Sequence, residues 1–327
     1  MKHYNGFIVI GSQIEQKQAP SMDVDILGSI GNTPMFRLRK MPGPAMAEVW
    51  VKWEGANPTG SMKDRMALSM VEGAEKRGQL KAAGQVVEYT GGSTGSSLAM
   101  VCAAKGYRSH FVSSDAFAEE KLATMRALGA TVDVVPSVNR KITPELIQEM
   151  IARARELSTQ PGTFWTDQFN NQDNKNGYHK MGGEIVRRLN SLDAFVMSVG
   201  TGGCFSGNSE AIKGQLSNVK CVAVEPASSR HLSKGPLGGH RIEGIGPGFI
   251  PKIMRMDLVD RIISVSDEDA YSTARQLGKT EGVFGGISSG ANVYAALQMA
   301  RELGPGHRIV TVIVDSGLRY LNGDLFR

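Results

Sequence analysis

One pattern limits the fold of this 327-residue chain more than any other: an apolar, strand-like run, a turn rich in glycine and hydroxyls, then a helical stretch. Gln85–Tyr89 runs into Thr90-Gly91-Gly92-Ser93-Thr94-Gly95-Ser96-Ser97 and a small-residue helix, Leu98 to Lys105. Ala194–Val199 runs into Gly200-Thr201-Gly202-Gly203 and a helix through Ser209 to Lys213. Gly285-Gly286-Ile287-Ser288-Ser289-Gly290 opens a helix over 291–303, before the last strand, Ile309–Val314. Between these lie further strand-like runs at 49–53, 110–113, 131–135, 220–224 and 262–265. Helical runs lie at 66–76, 118–128, 142–157, 183–189 and 267–277. Such alternation predicts parallel sheets covered on both faces by helices. The series divides near residue 160, which predicts two α/β domains, 1–160 and 161–327, with the extreme N-terminal segment free to pack on the second. Ligands of open α/β sheets lie beyond the carboxyl ends of strands, so the loops after Tyr89, Val199 and Phe284 can converge on one cleft.

Composition excludes several classes. The formal charge of +5 is not gathered into a basic run, which argues against nucleic acid. No apolar stretch is long enough to span a membrane. The short run Phe7–Ile10 falls short of a signal-peptide core, and residues 1 to about 22 read as a loosely structured arm. Cys102, Cys204 and Cys221 have neither metal-ligand nor redox-pair spacing, which predicts reduced thiols, a cytoplasmic protein and no metal.

Four stretches can carry chemistry. In Asn57-Pro58-Thr59-Gly60-Ser61-Met62-Lys63-Asp64-Arg65, Pro58 and Gly60 mark a turn, and Ser61 is a candidate N-cap for the following helix. Lys63 then stands in the first turn, where the helix end disfavours a cation. Burial would lower its pKa further and supply the neutral amine that Schiff-base chemistry requires. A solvated helix-start lysine is the alternative. Gly200-Thr201-Gly202-Gly203-Cys204 can close main-chain amides around a phosphate. It can also be read as a dinucleotide fingerprint with Glu225 as the ribose-binding acid, although Phe205 stands where the last glycine belongs. Thr90–Thr94 can donate hydrogen bonds to a carboxylate, or be a capping turn. Ser288 and Ser289 lack an identifiable base, so they read as a helix cap or as partners of a heterocycle nitrogen.

In this order the motifs resemble the cysteine synthase family, β-replacing pyridoxal-phosphate enzymes that include O-acetylserine sulfhydrylase and cystathionine β-synthase. The resemblance runs from about Ile26 to Leu325. The stretch from Asn57 to Arg65 resembles the Schiff-base lysine motif, and Gly200–Cys204 the cofactor phosphate loop. Gly286–Gly290 resembles the loop whose first serine, here Ser288, meets the pyridine nitrogen. Gln168-Phe169 and Gly244–Phe249 match positions near the substrate, and Asp315–Leu321 the closing segment. The resemblance implies a tryptophan synthase β-like fold with pyridoxal 5'-phosphate in the cleft between two domains. Lys63, Ser93, Gly200, Thr201, Gly202, Gly203, Cys204 and Ser288 would contact the cofactor. Thr90, Gly91, Gly92, Ser93, Thr94, Gln168 and Gly244 would contact an amino-acid substrate.

The implied reaction is cysteine synthesis from O-acetylserine and sulfide through an aminoacrylate, in a homodimer. A β-elimination lyase, of the cysteine desulfhydrase or serine/threonine ammonia-lyase type, is the alternative. An NAD-dependent oxidoreductase is the more distant one. Three departures stand out. Gly91 replaces a serine that helps bind the substrate carboxylate, Ser93 an asparagine that meets the cofactor's phenolic oxygen, and Cys204 a threonine.

Overall fold

A computed structural model describes residues 25–141 and 143–327; the arm expected over 1–22, and Ile142, lie outside the described residues. The strands are β1 (Met35–Arg37), β2 (Glu48–Trp53), β3 (Gln85–Tyr89), β4 (Arg108–Ser114), β5 (Thr131–Val135), β6 (Thr163–Trp165), β7 (Ala194–Ser198), β8 (Lys220–Pro226), β9 (Arg261–Val265) and β10 (Arg308–Ile313). The helices are α1 (Lys63–Lys76), α2 (Ser93–Lys105), α3 (Glu119–Ala127), α4 (Pro144–Ser158), α5 (Gln172–Asn176), α6 (His179–Leu189), α7 (Gly203–Lys213), α8 (Asp267–Gln276) and α9 (Ile287–Leu303).

Two sheets form, one of six strands in the order β1-β2-β10-β7-β8-β9 and one of four in the order β5-β4-β3-β6. All pairings are parallel except β1 with β2, as the alternation of strands and helices requires. Sheet membership does not follow a cut at residue 160. β2 enters the six-stranded sheet beside β10, with Val49 opposite Ile309 and Trp53 opposite Ile313. β6, beyond residue 160, completes the four-stranded sheet beside β3. The physical reason is burial on both faces. β10 is buried from Ile309 to Ile313 between its neighbours, and Val49 and Val51 of β2 are wholly buried in the same cluster as Ile309 and Ile313.

A layer of helices lies between the sheets. Val86 and Phe111 of one sheet, and Phe195, Met197, Val310 and Val312 of the other, share a single core with α1, α2, α6 and α7. In α1, Met66, Ala67, Met70, Val71 and Ala74 recur at helical spacing and form its buried stripe. α8 and α9 cover the far face of the six-stranded sheet, while α4 covers the far face of the four-stranded sheet through Leu146, Met150, Ala154 and Leu157. Phe205, at the start of α7, is wholly buried. Its truncation to alanine would cost about 3–5 kcal/mol. This layering sets the starts of α1, α2 and α7 after the carboxyl ends of the strands that precede them, and the start of α9, which follows α8, beside the carboxyl end of β10, where Ser289 accepts from the Val314 amide.

Candidate active site

The stretch from Asn57 to Arg65 is held by its own polar side chains. Asn57 accepts from the Gly31 amide at 3.0 Å and donates to the Glu54 carbonyl at 2.8 Å. Asp64 accepts from the amide and the hydroxyl of Thr59, at 2.8 and 2.5 Å. Arg65 forms ion pairs with Glu54 at 2.6 Å and Glu184 at 2.8 Å, in a cluster that also holds Lys52. Ser61 is not the residue that precedes the helix; Met62 is. The Ser61 hydroxyl still accepts from the Lys63 amide, at 3.3 Å. The turn is tighter than expected because Gly60, at φ 77°, brings its amide to the Asn57 carbonyl at 2.8 Å.

Lys63 is the exception in this stretch. It is 8% exposed, and its amine has no hydrogen-bond or ion-pair partner among the described residues. Burial pushes the amine below its ordinary value, while the nearby Cys204 and Asp315 act the other way. A solvated helix-start lysine does not fit this environment.

The glycine turn before α7 closes on its surroundings. A side chain on Gly200 would meet the Gly244 carbonyl at 2.2 Å, and one on Gly203 would meet Asn174 Oδ1 at 2.2 Å. Gly202 adopts φ 82°, a conformation that favours glycine. The amides of Thr201, Gly202 and Cys204 have no acceptor among the described residues. With the helix start behind them, they form an anion cradle. Asn174 holds the cradle, donating to the Thr201 hydroxyl at 3.1 Å and to the Gln168 carbonyl at 2.6 Å. The Cys204 thiol is buried and accepts from Asn208 at 3.4 Å; burial pushes it up to about 12, so it stays protonated. Amides without an acceptor at a helix start, with Cys204 close enough to influence the buried Lys63 amine, fit a phosphorylated aldehyde.

The Thr90 loop differs from a hydroxyl-lined anion site. The Thr90 hydroxyl accepts from the amides of Gly92 and Gly95, at 3.0 and 3.3 Å. The Thr94 hydroxyl donates to Gln168 Oε1 at 2.8 Å, and Ser93 accepts from Arg319 at 3.3 Å. The amides of Gly91, Ser93 and Thr94 have no acceptor among the described residues, so the main chain supplies the donors. Gln168 is held by the Tyr89 carbonyl at 3.1 Å and by Glu88. Glu88 accepts from Tyr89, Trp165, Thr166 and Gln168; burial pushes its carboxyl up to about 7 against these donors.

Ser288 and Ser289 have different surroundings. Ser289 accepts from the Val314 amide at 2.9 Å. Ser288 is buried, and its hydroxyl has no partner among the described residues. Gly244, at φ 85°, packs its carbonyl on Gly200 and so lies at the anion cradle. Beside it, Glu243 pairs with Lys121, whose stem lies against Gly92. Glu225 does not behave as a ribose-binding acid. Its carboxylate holds the Leu232 amide at 2.8 Å and the Ser233 hydroxyl, which consumes it inside the fold.

Asn174 and Glu88 escaped the reading of the sequence, and Arg319 was noticed only as part of the closing segment Asp315–Leu321. Asn174 sits on α5, inside the polar run Asn170-Asn171-Gln172-Asp173-Asn174, which carries no apolar periodicity. Glu88 lies within a strand whose other residues are all buried, and a charged residue there was itself a signal.

Among the described residues no helix is long and apolar enough to cross a membrane, and no cluster of metal-binding side chains occurs. A family model described as pyridoxal-phosphate dependent enzyme matches residues 26–315. Cysteine synthase from Staphylococcus aureus is 40% identical over 301 residues, 91% of this chain and 95% of that protein. Among solved structures, O-acetyl serine sulfhydrylase isoform 3 from Entamoeba histolytica superposes with a TM-score of 0.87 at 34% identity, covering 98% of this chain and 95% of that one. A hydrogen sulfide-producing enzyme from Fusobacterium nucleatum superposes with a TM-score of 0.86 at 37% identity, covering 92% and 99%. With matches over nearly its whole length, this chain belongs to the pyridoxal-phosphate dependent enzymes, in the cysteine synthase family, and its cofactor is pyridoxal phosphate.

Proposed function

We propose that this enzyme makes L-cysteine from O-acetyl-L-serine and sulfide, releasing acetate. The observation that carries the proposal is the buried amine of Lys63, without a partner among the described residues, in a stretch where Asp64 is hydrogen-bonded to Thr59 and Arg65 is ion-paired. Similarity to cysteine synthases supports the choice of substrates.

Pyridoxal phosphate, when bound, supplies the electron sink that acidifies the amino acid's α-carbon and lets its β-substituent leave. The chain's residues do the rest. The amides of Thr201, Gly202 and Cys204 hold the phosphate, and Lys63 provides the covalent anchor. Ser288 offers the ring nitrogen a neutral hydroxyl, which does not force its protonation as a carboxylate would. Ser93 is the residue assigned to the cofactor's phenolic oxygen. The amides of Gly91, Ser93 and Thr94 orient the substrate carboxylate, Gln168 lines the site beside them, and Lys63 Nζ, once the substrate amine has displaced it from the cofactor, would accept the α-proton, a role that burial favours by lowering its pKa. Gly244 supports the phosphate turn from behind.

Elimination without replacement is the second reading, favoured by the hydrogen sulfide-producing relative and by the altered Thr90 loop. Products separate the two. Cysteine should dominate with O-acetyl-L-serine plus sulfide, and pyruvate should remain minor. Pyruvate as the main product both there and from cysteine alone would overturn the synthase reading. Three buried, unpaired cysteines support a reducing, cytoplasmic setting. A homodimer is the assembly we expect, to be read from the mass in solution.

A further inference from the structure

Arg319 joins the closing segment to the starts of two helices. Its Nη1 donates to the Thr59 carbonyl at 2.8 Å, just ahead of α1, and its Nη2 to the hydroxyl oxygen of Ser93 at 3.3 Å, the first residue of α2. The chain leaving β10 brings it there. The Ser316 amide donates to the Gly60 carbonyl at 2.9 Å, and the Ser316 hydroxyl accepts from the Leu318 amide at 3.3 Å, capping the short helical turn Gly317–Tyr320. The remaining donor of the guanidinium, Nε, is buried without an acceptor among the described residues, and no carboxylate among them pairs with it. Asp64 and Asp315 feel its charge but are engaged elsewhere. Asp64 holds the amide and hydroxyl of Thr59, and Asp315 accepts from the Tyr320 hydroxyl at 2.7 Å. The other charged groups at this corner are Lys121, paired with Glu243, and the buried Lys63 amine. Arg319 is thus a partly buried cation that no contacting anion neutralises, and a guanidinium keeps its charge at any working pH.

The Ser93 oxygen accepts from Arg319, and its proton has no acceptor among the described residues. A hydroxyl that accepts from a cation is polarised to donate more strongly. The usual family loop has an asparagine here, whose amide donates unaided; the single proton of a serine has to be aimed. We propose that Arg319 is a positioning residue for the cofactor: it holds the Ser93 oxygen, so that the hydroxyl proton points at the phenolic oxygen of pyridoxal phosphate, and its charge favours the ionised form of that oxygen. This rests on Ser93 meeting the phenolic oxygen, as in the proposed function. With that oxygen ionised, the proton stays on the nitrogen that links the cofactor to Lys63. Without the relay the oxygen takes the proton and the nitrogen becomes neutral.

The test is the absorbance of the cofactor-loaded enzyme at neutral pH, without substrate. A visible band reports the proton on nitrogen, and a near-ultraviolet band reports it on oxygen. Wild type, Arg319→Met, Ser93→Ala and the double variant are compared. Arg319→Met should lower the ratio of visible to near-ultraviolet absorbance by about tenfold, the scale of one charge-assisted hydrogen bond. Ser93→Ala should lower it at least as far, and the double variant no further than Ser93→Ala. An unchanged ratio in Arg319→Met, with a lowered one in Ser93→Ala, would overturn the proposal alone. Additive losses would overturn it too, since a tie to Thr59 acts independently of Ser93. An unchanged ratio in Ser93→Ala would overturn the assignment of Ser93 to the phenolic oxygen, and the proposal with it. Where Arg319→Met does not fold, Arg319→Lys keeps the charge and loses the fork. It should lower the ratio in the wild-type background and leave it unchanged beside Ser93→Asn, whose amide donates unaided. A drop of equal size in both backgrounds would overturn the relay.

Discussion

Asn174 donates to the hydroxyl of Thr201 at 3.1 Å, tying α5 to the glycine turn ahead of α7. The same amide donates to the Gln168 carbonyl at 2.6 Å, so one side chain aligns the glycine turn and Gln168. Asn174→Ala should weaken retention of pyridoxal phosphate by about tenfold, because it leaves buried acceptors without their donor. Equilibrium dialysis followed by cofactor fluorescence measures this. Retention equal to wild type would mean that the bridge does not order the turn.

Lys63 sets a pH dependence in the cofactor-free protein. Burial lowers its amine from the ordinary 10.5, so between the lowered value and 10.5 the unfolded chain holds a proton that the folded chain does not. Stability contributed by this residue therefore rises with pH across that interval. Urea unfolding of cofactor-free wild type and Lys63→Met, from about pH 7 to about pH 10, should show the difference moving towards the wild type as pH rises. A difference independent of pH would count against a neutral, buried amine. In the loaded enzyme, Lys63→Ala should abolish the covalent attachment of the cofactor, read by mass after borohydride reduction.

Glu184 anchors the opposite side of the Lys63 stretch. Burial works to raise its carboxyl, but hydrogen bonds and charge from Arg65 and Lys52 outweigh burial and hold it at about 2. Its contribution is complete above about 4.5 and is lost as pH falls towards 2. Glu184→Gln breaks a buried cluster and should cost about 3–5 kcal/mol at neutral pH, with a smaller difference from wild type in acid. Denaturant midpoints at neutral and acid pH decide it.

Two adjacent serines should respond differently. Ser289 accepts from the Val314 amide at 2.9 Å, so Ser289→Ala should destabilise the fold by about 1–3 kcal/mol. The Ser288 hydroxyl has no such partner among the described residues, so Ser288→Ala should stay within about 0.5 kcal/mol of wild type. Its effect should fall on turnover and on the absorbance of the bound cofactor. Equal loss of stability in both variants would remove the basis for assigning Ser288 to the ring nitrogen.

Local signals explain what could be read early. The strand at Gln85–Tyr89, the turn at Gly200–Gly203 and the helix after Ser288 are each announced by neighbours within a few residues. Apolar runs, glycines and helix starts act over that range. β6 has three residues and α5 five, too short for any periodicity to emerge. β2 was legible as a strand, but its place beside β10 was not, since that depends on which apolar edge remains to be covered.

The sequence alone determined the α/β class and the order of the three loops, because each is written in contiguous residues; Lys63, read from its own stretch, stayed open between a solvated helix-start residue and a Schiff-base amine. Tertiary structure alone decided what those residues are worth chemically. It placed Arg319 on Ser93, Glu243 on Lys121 and Phe117 against Gly91, and it left the Lys63 amine buried without a partner. The charge state of a lysine, and the room beside a glycine, depend on atoms brought in from distant parts of the chain. Only the packed fold specifies those atoms.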